Sequence, residues 1–203
     1  MRQSVIKIQG KIPREVGVAV SGGVDSMSIL HFLNQNHKVT VYYFNHGTTN
    51  ADLFERFVRA TCQKYELPVK VGDITREKNK KESMEEYWRE QRYNWLTQQD
   101  QTIVLGHHLD DCVESYIFNM CNGKDYTIPY RYNNCIRPFR INRKTQLLNW
   151  AQKNAVVWIN DPTNINSIYK RNYIRYHVMP SILKVNPGLH KVIAKRINAE
   201  TIE

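Results

Sequence analysis

Six consecutive residues, Ser21-Gly22-Gly23-Val24-Asp25-Ser26, carry the densest chemistry in the first part of the chain. Ahead of them, Gly17 to Val20 is short and apolar, as a buried parallel strand is; after them, Ile29, Leu30 and Leu33 recur on one helix face. A strand, a glycine-rich turn and a helix start together make an anion cradle. Backbone N–H groups point outward, glycines allow close approach, and the helix dipole favours negative charge. The segment predicts a phosphate or pyrophosphate site. A Walker loop is longer and has Lys before its last hydroxyl, where this chain has Asp25; a Rossmann G-x-G-x-x-G is absent. An acid in a phosphate loop is costly unless a divalent cation or a donor compensates it. Asp25 therefore points to nucleotide, Mg²⁺ and released pyrophosphate, against the plainer alternative of an ordinary strand–turn–helix connection.

The second dense stretch is Gly106-His107-His108-Leu109-Asp110-Asp111-Cys112-Val113-Glu114. Asp111 and Glu114 are spaced i, i+3, which sets both carboxylates on one face of a helix. Such a pair could hold Mg²⁺, bind an ammonium group, or act as a general base. A zinc site of His107, His108 and Asp111 is the rival, weakened because adjacent histidines diverge. Asp110 at the helix start could be no more than a cap.

These residues need a frame. Lys38 to Phe44 reads as a second strand, and Asn50 as the cap of a helix whose Leu53, Phe54, Phe57, Val58 and Thr61 share a face. Pro68 opens a short strand, Val69 to Val71. Thr75 to Lys81 is a polar, basic loop, and Ser83 with Glu86 forms a capping box for a helix to about Leu96. Thr102 to Gly106 is another buried strand, followed by a helix from Leu109 to about Met120. Residues 121–142 look irregular, and helical patterns follow at about 143–154, 169–184 and 188–199. Strands alternating with amphipathic helices predict an α/β fold, a doubly wound, mostly parallel sheet with helices on both faces and a helical C-terminal extension. Such sheets bind ligands beyond the carboxyl ends of their strands, where loops 21–26, 45–50 and 106–111 fall. One catalytic domain is expected over 1–203, with a nucleotide-binding α/β part to about 142 and a basic helical part from about 143.

The formal net charge of +10 is unevenly placed. Residues 1–130 hold 16 Lys and Arg against 16 Asp and Glu, while residues 131–203 hold 13 against 3. Tyr132, Tyr169, Tyr173 and Tyr176 are interleaved with those bases. This is the footprint of a phosphate-backbone partner, or else of a solvated basic face. Cys62, Cys112, Cys121 and Cys135 form no C-x-x-C, which speaks against a zinc ribbon or a cysteine-held cluster. No signal peptide and no apolar run near ~20 residues is present, so a cytoplasmic protein away from membranes is expected.

Ser-Gly-Gly-x-Asp-Ser resembles the pyrophosphate loop of the N-type ATP pyrophosphatases, which adenylate a carbonyl. Together with His-His-x-Asp-Asp-x-x-Glu it resembles the catalytic domain of the tRNA(Ile)-lysidine synthetases. Further stretches agree in order: Asn45-His46-Gly47, Glu85-x-x-x-Arg89-x-x-Arg92-Tyr93 and Ile136-Arg137-Pro138-Phe139. Then come Asp161-Pro162-Thr163-Asn164 and Arg171-Asn172-Tyr173-Ile174-Arg175, running on to Val178-Met179-Pro180. The likeness spans about residues 16–187 and implies an adenine nucleotide alpha hydrolase-like fold.

The resemblance also implies a reaction. ATP adenylates C2–O of the wobble cytidine of tRNA(Ile) with a CAU anticodon, and free L-lysine then displaces AMP to give lysidine. Ser21, Gly22, Gly23, Val24, Asp25 and Ser26, with Asn45, His46, Gly106 and His107, would bind the nucleotide. Asp25 would also act with Mg²⁺, and Asp25, Arg89, Asp111, Glu114 and Arg171 would carry the chemistry. On the residues alone, Arg89 could equally be a solvated helix residue and Arg171 a phosphate-backbone contact. The family's usual Arg-Gly-Ser-Gly is here Cys121-Asn122-Gly123-Lys124, and the usual Leu-Arg after Asn-His-Gly is Thr48-Thr49. Many members carry extra C-terminal domains that hold the tRNA; this sequence corresponds to the catalytic domain only. It would read the anticodon arm through residues 131–203, splaying out the loop cytidine. A homodimer is compatible with the resemblance. Competing readings are a tRNA thiolase of the same superfamily and a catalytically lapsed RNA-binding relative.

Overall fold

Alternating small apolar residues place the first strand in the middle of a sheet. In the computed structural model, which describes residues 5–160 and 170–200, β1 (Glu15–Ala19) lies between β2 (Lys38–Asn45) and β4 (Ile103–Val104), parallel to both. The order is β3-β2-β1-β4-β6-β5, with β3 (Val69–Asp73) and β6 (Cys135–Ile136) also parallel to their inner neighbours. Only β5 (Arg131–Tyr132) runs antiparallel, at the edge. All five parallel strands therefore end at one edge of the sheet.

The two faces of the strands are covered by different helices. Val16, Val18 and Val20 join Val39, Val41 and Ile136 against α1 (Val24–Asn34), α2 (Ala51–Lys64) and α5 (Lys144–Lys153). Tyr42, Ile103, Leu105 and Cys135 point the other way, against Tyr93, Trp95 and Leu96 of α3 (Met84–Thr97). A third cluster joins α4 (Leu109–Met120) to α7 (Met179–Val185) and α8 (Leu189–Asn198). The doubly wound α/β fold with a helical C-terminal region is what the strand–helix alternation predicts.

Several local expectations are corrected. Asn50 stands at the N-cap of α2, but its side chain makes no capping bond, and Leu53 is 61% exposed, outside the buried Val58–Cys62 stripe. Ser83 accepts from Glu86 N without the reciprocal half of the box. The irregular 121–142 segment contains β5 and β6, each too short to leave a periodic trace. The helix expected over 169–184 is interrupted: α6 (Lys170–Tyr173) passes into a π-helical turn, Ile174–Val178, before α7. Pro180 supplies the reason, since it has no N–H for the helical bond to Tyr176 and its ring crowds that carbonyl. The Asp161–Asn164 stretch lies outside the described residues.

Two buried groups fix the site's supports. Arg140 donates to Gln9 Oε1 (2.8 Å), Ile128 O (2.7 Å) and Glu200 (2.6 Å), tying both ends of the chain to the loop after β6. Asn142 accepts from Lys7 N through its side chain and from Leu109 N through its carbonyl, which sets the first residue of α4. No described helix is long and apolar enough to cross a membrane.

Gly17 is the tightest strand position. A Cβ there would lie 2.6 Å from the ring of Tyr42, which is itself buried against Trp95. Gly17→Ala is expected to lower unfolding stability by about 1–3 kcal/mol, read by urea denaturation; an unchanged midpoint would show that the Tyr42 ring yields freely.

Candidate active site

The loop after β1 is built before any ligand arrives. Gly22 has φ +87°, a left-handed conformation open to glycine, and its carbonyl accepts from Ile159 N at 3.0 Å. Ser26 Oγ accepts from Ser21 N (3.2 Å) and donates to Gly23 O (3.0 Å), which closes the turn. Gly23 is the N-cap of α1 and brings no side-chain acceptor, so the first N–H groups of the helix keep their anion-binding capacity. Gly106 packs on this loop, its missing Cβ facing the Ser26 backbone at 3.6 Å.

Asp25 faces the start of α4. Its Oδ2 lies 3.6 Å from His108 Nε2 and 3.6 Å from Lys144 Nζ. Burial pushes its pKa up, but His108 and Lys144 outweigh burial and hold it below the ordinary value. Asp25 Oδ1 is buried with no hydrogen-bond partner. An orphaned carboxylate oxygen beside a phosphate cradle suits a hard divalent cation, and Mg²⁺ takes one or two carboxylates with phosphate oxygens and water.

His108 caps α4. Its Nδ1 accepts from Asp111 N (3.3 Å), and Asp111 Oδ2 accepts from His108 N (3.0 Å). Asp110 does more than the plain cap that was its alternative reading. It accepts from Lys144 N (2.7 Å) and Arg143 Nε (3.3 Å) and pairs with His190 Nε2 (3.1 Å), binding α4 to α5 and α8. Against the cost of burial, His190 and the Lys144 amide hold its pKa well below the carboxylate range.

One turn on, Asp111 and Glu114 lie on one helix face, and both are paired with an arginine of the chain itself. Arg175, from the π-helical turn, donates through Nε to Glu114 Oε2 (2.8 Å) and through Nη2 to Asp111 Oδ1 (3.2 Å). Arg171 reaches Glu114 Oε1 at 3.5 Å. Glu114 is 3% exposed, and burial, with Asp111 beside it, raises its pKa despite both arginines.

His46, His107 and Arg89 fall in a separate group. His107 turns toward Arg89, Arg92 and Arg137 while His108 turns toward Asp25, so the two histidines do diverge. The described residues include no group of three or more side chains that could hold a metal. His46 sits between Phe44 and Trp88, with its pKa pushed down to about 4 by burial and by Arg92. Asn45 shapes its own loop, accepting from Gly47 N and donating to Glu55.

Lys144, Arg175, Arg92 and Arg137 were not among the expected site residues. Arg175 had a signal, four residues after Arg171 and so on the same face. Lys144 had none. Burial holds the Cys62 and Cys112 thiols up, to about 11 and about 12, which keeps them protonated.

Residues 2–182 match the PP-loop domain family. This chain belongs to that family. The chain is 28% identical over 199 residues to the tRNA(Ile)-lysidine synthase of Thermotoga maritima, covering 89% of this chain and 48% of that protein. It is 31% identical over 198 residues to the protein of that name from Lactiplantibacillus plantarum, covering 88% of this chain and 44% of the relative. The chain thus spans about half the length of the curated relatives it matches. In fold, it is similar to an NH3-dependent NAD synthetase from Campylobacter jejuni, with a TM-score of 0.52 at 15% identity over 94% of this chain and 88% of that one.

The His108 cluster makes the PP-loop domain's stability pH-dependent. Burial disfavours the charged ring, but Asp111, Asp25 and Asp110 outweigh it and raise the pKa above 6.5. A raised folded pKa contributes stability below the unfolded value, and that contribution is lost as pH rises through the folded value. Asp25, with its lowered pKa, stays ionised throughout this window. The stability deficit of His108→Asn relative to wild type should therefore be larger at about pH 5.5 than at about pH 8.5. A deficit constant across that range in chemical denaturation would show that the neutral ring's capping bond is its whole contribution.

Proposed function

We propose that this PP-loop domain ligates free L-lysine to C2 of the wobble cytidine of tRNA(Ile) with a CAU anticodon, through an adenylated tRNA intermediate. The observation that carries this reading is the contact between the PP-loop and the acidic start of α4: Asp25 meets His108, whose helix presents the Asp111–Glu114 pair one turn further on. On this reading a pyrophosphate site and an ammonium site would share one strand edge. The names of the relatives agree with that pairing.

In the first step the cytidine O2 would form a bond to the α-phosphorus of ATP while the bond to pyrophosphate breaks. The loop's backbone N–H groups and Lys144 would receive the negative charge of the leaving pyrophosphate. Mg²⁺ bound at Asp25 Oδ1 would supply further charge neutralisation on the phosphoryl oxygens. Arg89 and Arg171 would, by the family resemblance, hold the activated base or its phosphate.

In the second step the ε-ammonium of lysine would give one proton to the site, the free amine would bond to C2 as the C2–O bond to AMP breaks, and the nitrogen would then lose a second proton to the departing phosphate or to solvent. Free lysine is an ammonium with a pKa near ~10.4, so the site must bind the cation and then take a proton. Asp111 and Glu114 suit both tasks. Glu114 Oε2 is clamped by Arg175, which leaves Oε1, 3.5 Å from Arg171, as the freer acceptor. Burial makes Glu114 a better base than an exposed carboxylate.

The test is transfer of radiolabelled lysine to an unmodified tRNA(Ile) transcript with ATP and Mg²⁺, with tRNA(Met) as the control. Asp25→Ala should lower both pyrophosphate release and lysine transfer by about 10²–10³-fold. Glu114→Gln should depress lysine transfer and leave tRNA-dependent pyrophosphate release largely intact. Pyrophosphate release by wild type without lysine transfer would move the reading to another nucleophile; neither activity would leave an RNA-binding relative.

A further inference from the structure

The arginines on the α3 side of the site have an unusual environment. The guanidinium carbons of Arg89, Arg92 and Arg137 lie 4.8, 5.5 and 5.9 Å from the centre of one ring, that of Tyr93. Among the described residues, no carboxylate forms an ion pair with any of the three. Arg137 is 1% exposed; it donates to Tyr93 Oη and Pro129 O, both at 2.8 Å, and its Nε has no partner. Arg92 Nε is likewise buried and unpartnered, as are the Nδ1 atoms of His46 and His107.

Like charges gathered this closely repel one another, and buried donors left unpaired are costly. The neighbourhood responds by keeping both imidazoles uncharged. His107 is pushed well below its ordinary pKa by burial and then by Arg137, Arg92 and Arg89. Such a cluster is completed by an anion with several acceptor oxygens. The acids at the edge do not supply it, because Asp111 and Glu114 already hold Arg175.

We propose that Arg89, Arg92 and Arg137, with His46 and His107, form a subsite for an RNA phosphodiester, separate from the nucleotide loop. The proposal rests on the RNA-modifying function put forward above and assigns one contact within it. The rim of the cluster favours RNA over a free amino acid or the ATP tail. Tyr132 on edge strand β5 is 50% exposed and meets Tyr93 edge-on at 5.3 Å, and Arg131 beside it is exposed too. An exposed aromatic next to clustered arginines suits a splayed base and its phosphate. A lysine carboxylate needs one bidentate arginine, not three. The triphosphate is assigned to the PP-loop facing Lys144 in the reading above.

Binding of the unmodified tRNA(Ile) transcript, titrated against salt without ATP, tests this. Arg92→Gln should weaken binding about 5–10-fold and reduce the slope of log K against log salt by about 0.7–1. Arg92→Lys should restore most of the slope, and the ATP dissociation constant and the KM for lysine should stay within about twofold. If Arg92→Gln folds poorly, the exposed Arg89→Gln, judged on transcript binding and its salt slope alone, should show the same loss. An unchanged slope in both variants overturns the subsite, as does a loss that falls on ATP affinity or on the KM for lysine instead. If wild type shows no salt-dependent binding of the transcript, the RNA function falls, and the subsite with it.

Discussion

The bridge from Arg175 to Asp111 and Glu114 is the interaction on which the relation between the α/β sheet and the basic C-terminal helices depends. Glu114 is nearly sealed from water, and an ionised carboxylate in that position needs a cation close by. Removing Arg175 from such a pair costs about 3–5 kcal/mol, because the Glu114 charge left behind has no solvent to receive it. The π-helical turn that carries Arg175 is therefore pinned to α4, and α6 follows with Arg171. Asp110 makes a parallel tie through His190 and Arg143, so α8 and α5 are fastened to the same helix start.

These ties explain why charge of both signs collects at one edge. Parallel strands must all end on the same side, and the turns that follow them carry Ser21–Ser26, His46, His107 and Arg137. The acids lie near α1 and α4, where His108, Lys144 and Arg175 answer them. The arginines lie near α3, where Tyr93 offers a ring face and one hydroxyl in place of a carboxylate. The edge is thus divided into a compensated acidic part and an uncompensated basic part. A reaction that joins a cation to a polyanion has use for that division.

Much of the candidate site was legible because its chemistry is local. The phosphate loop needs a strand, two glycines, hydroxyls and a helix in close succession, and each leaves a mark in sequence. The acidic pair is a spacing within one helix, and α4 runs from Leu109 to Met120 as its periodicity requires. Leu53 recurs at helical spacing with Phe54, Phe57 and Val58, yet α2 turns Val58 and Cys62 inward and leaves Leu53 exposed, because spacing alone does not say which part of an apolar face meets the sheet. Two-residue strands such as β5 and β6 have no period to detect. β5 pairs only with β6 in a tight hairpin, and β6 is placed in the sheet by β4, far earlier in the chain.

Sequence alone determined the fold class, the PP-loop, the acidic face of α4 and the basic bias beyond residue 130. Each of these depends on short-range spacing or on composition, which survive without coordinates. Tertiary structure decided which charges meet: Lys144 with Asp25, Arg175 with Asp111 and Glu114, His190 with Asp110. It also decided that Arg89, Arg92 and Arg137 meet no described acid. Compensation of charge is a property of distances of a few ångströms between residues far apart in the chain, and only folding sets those distances.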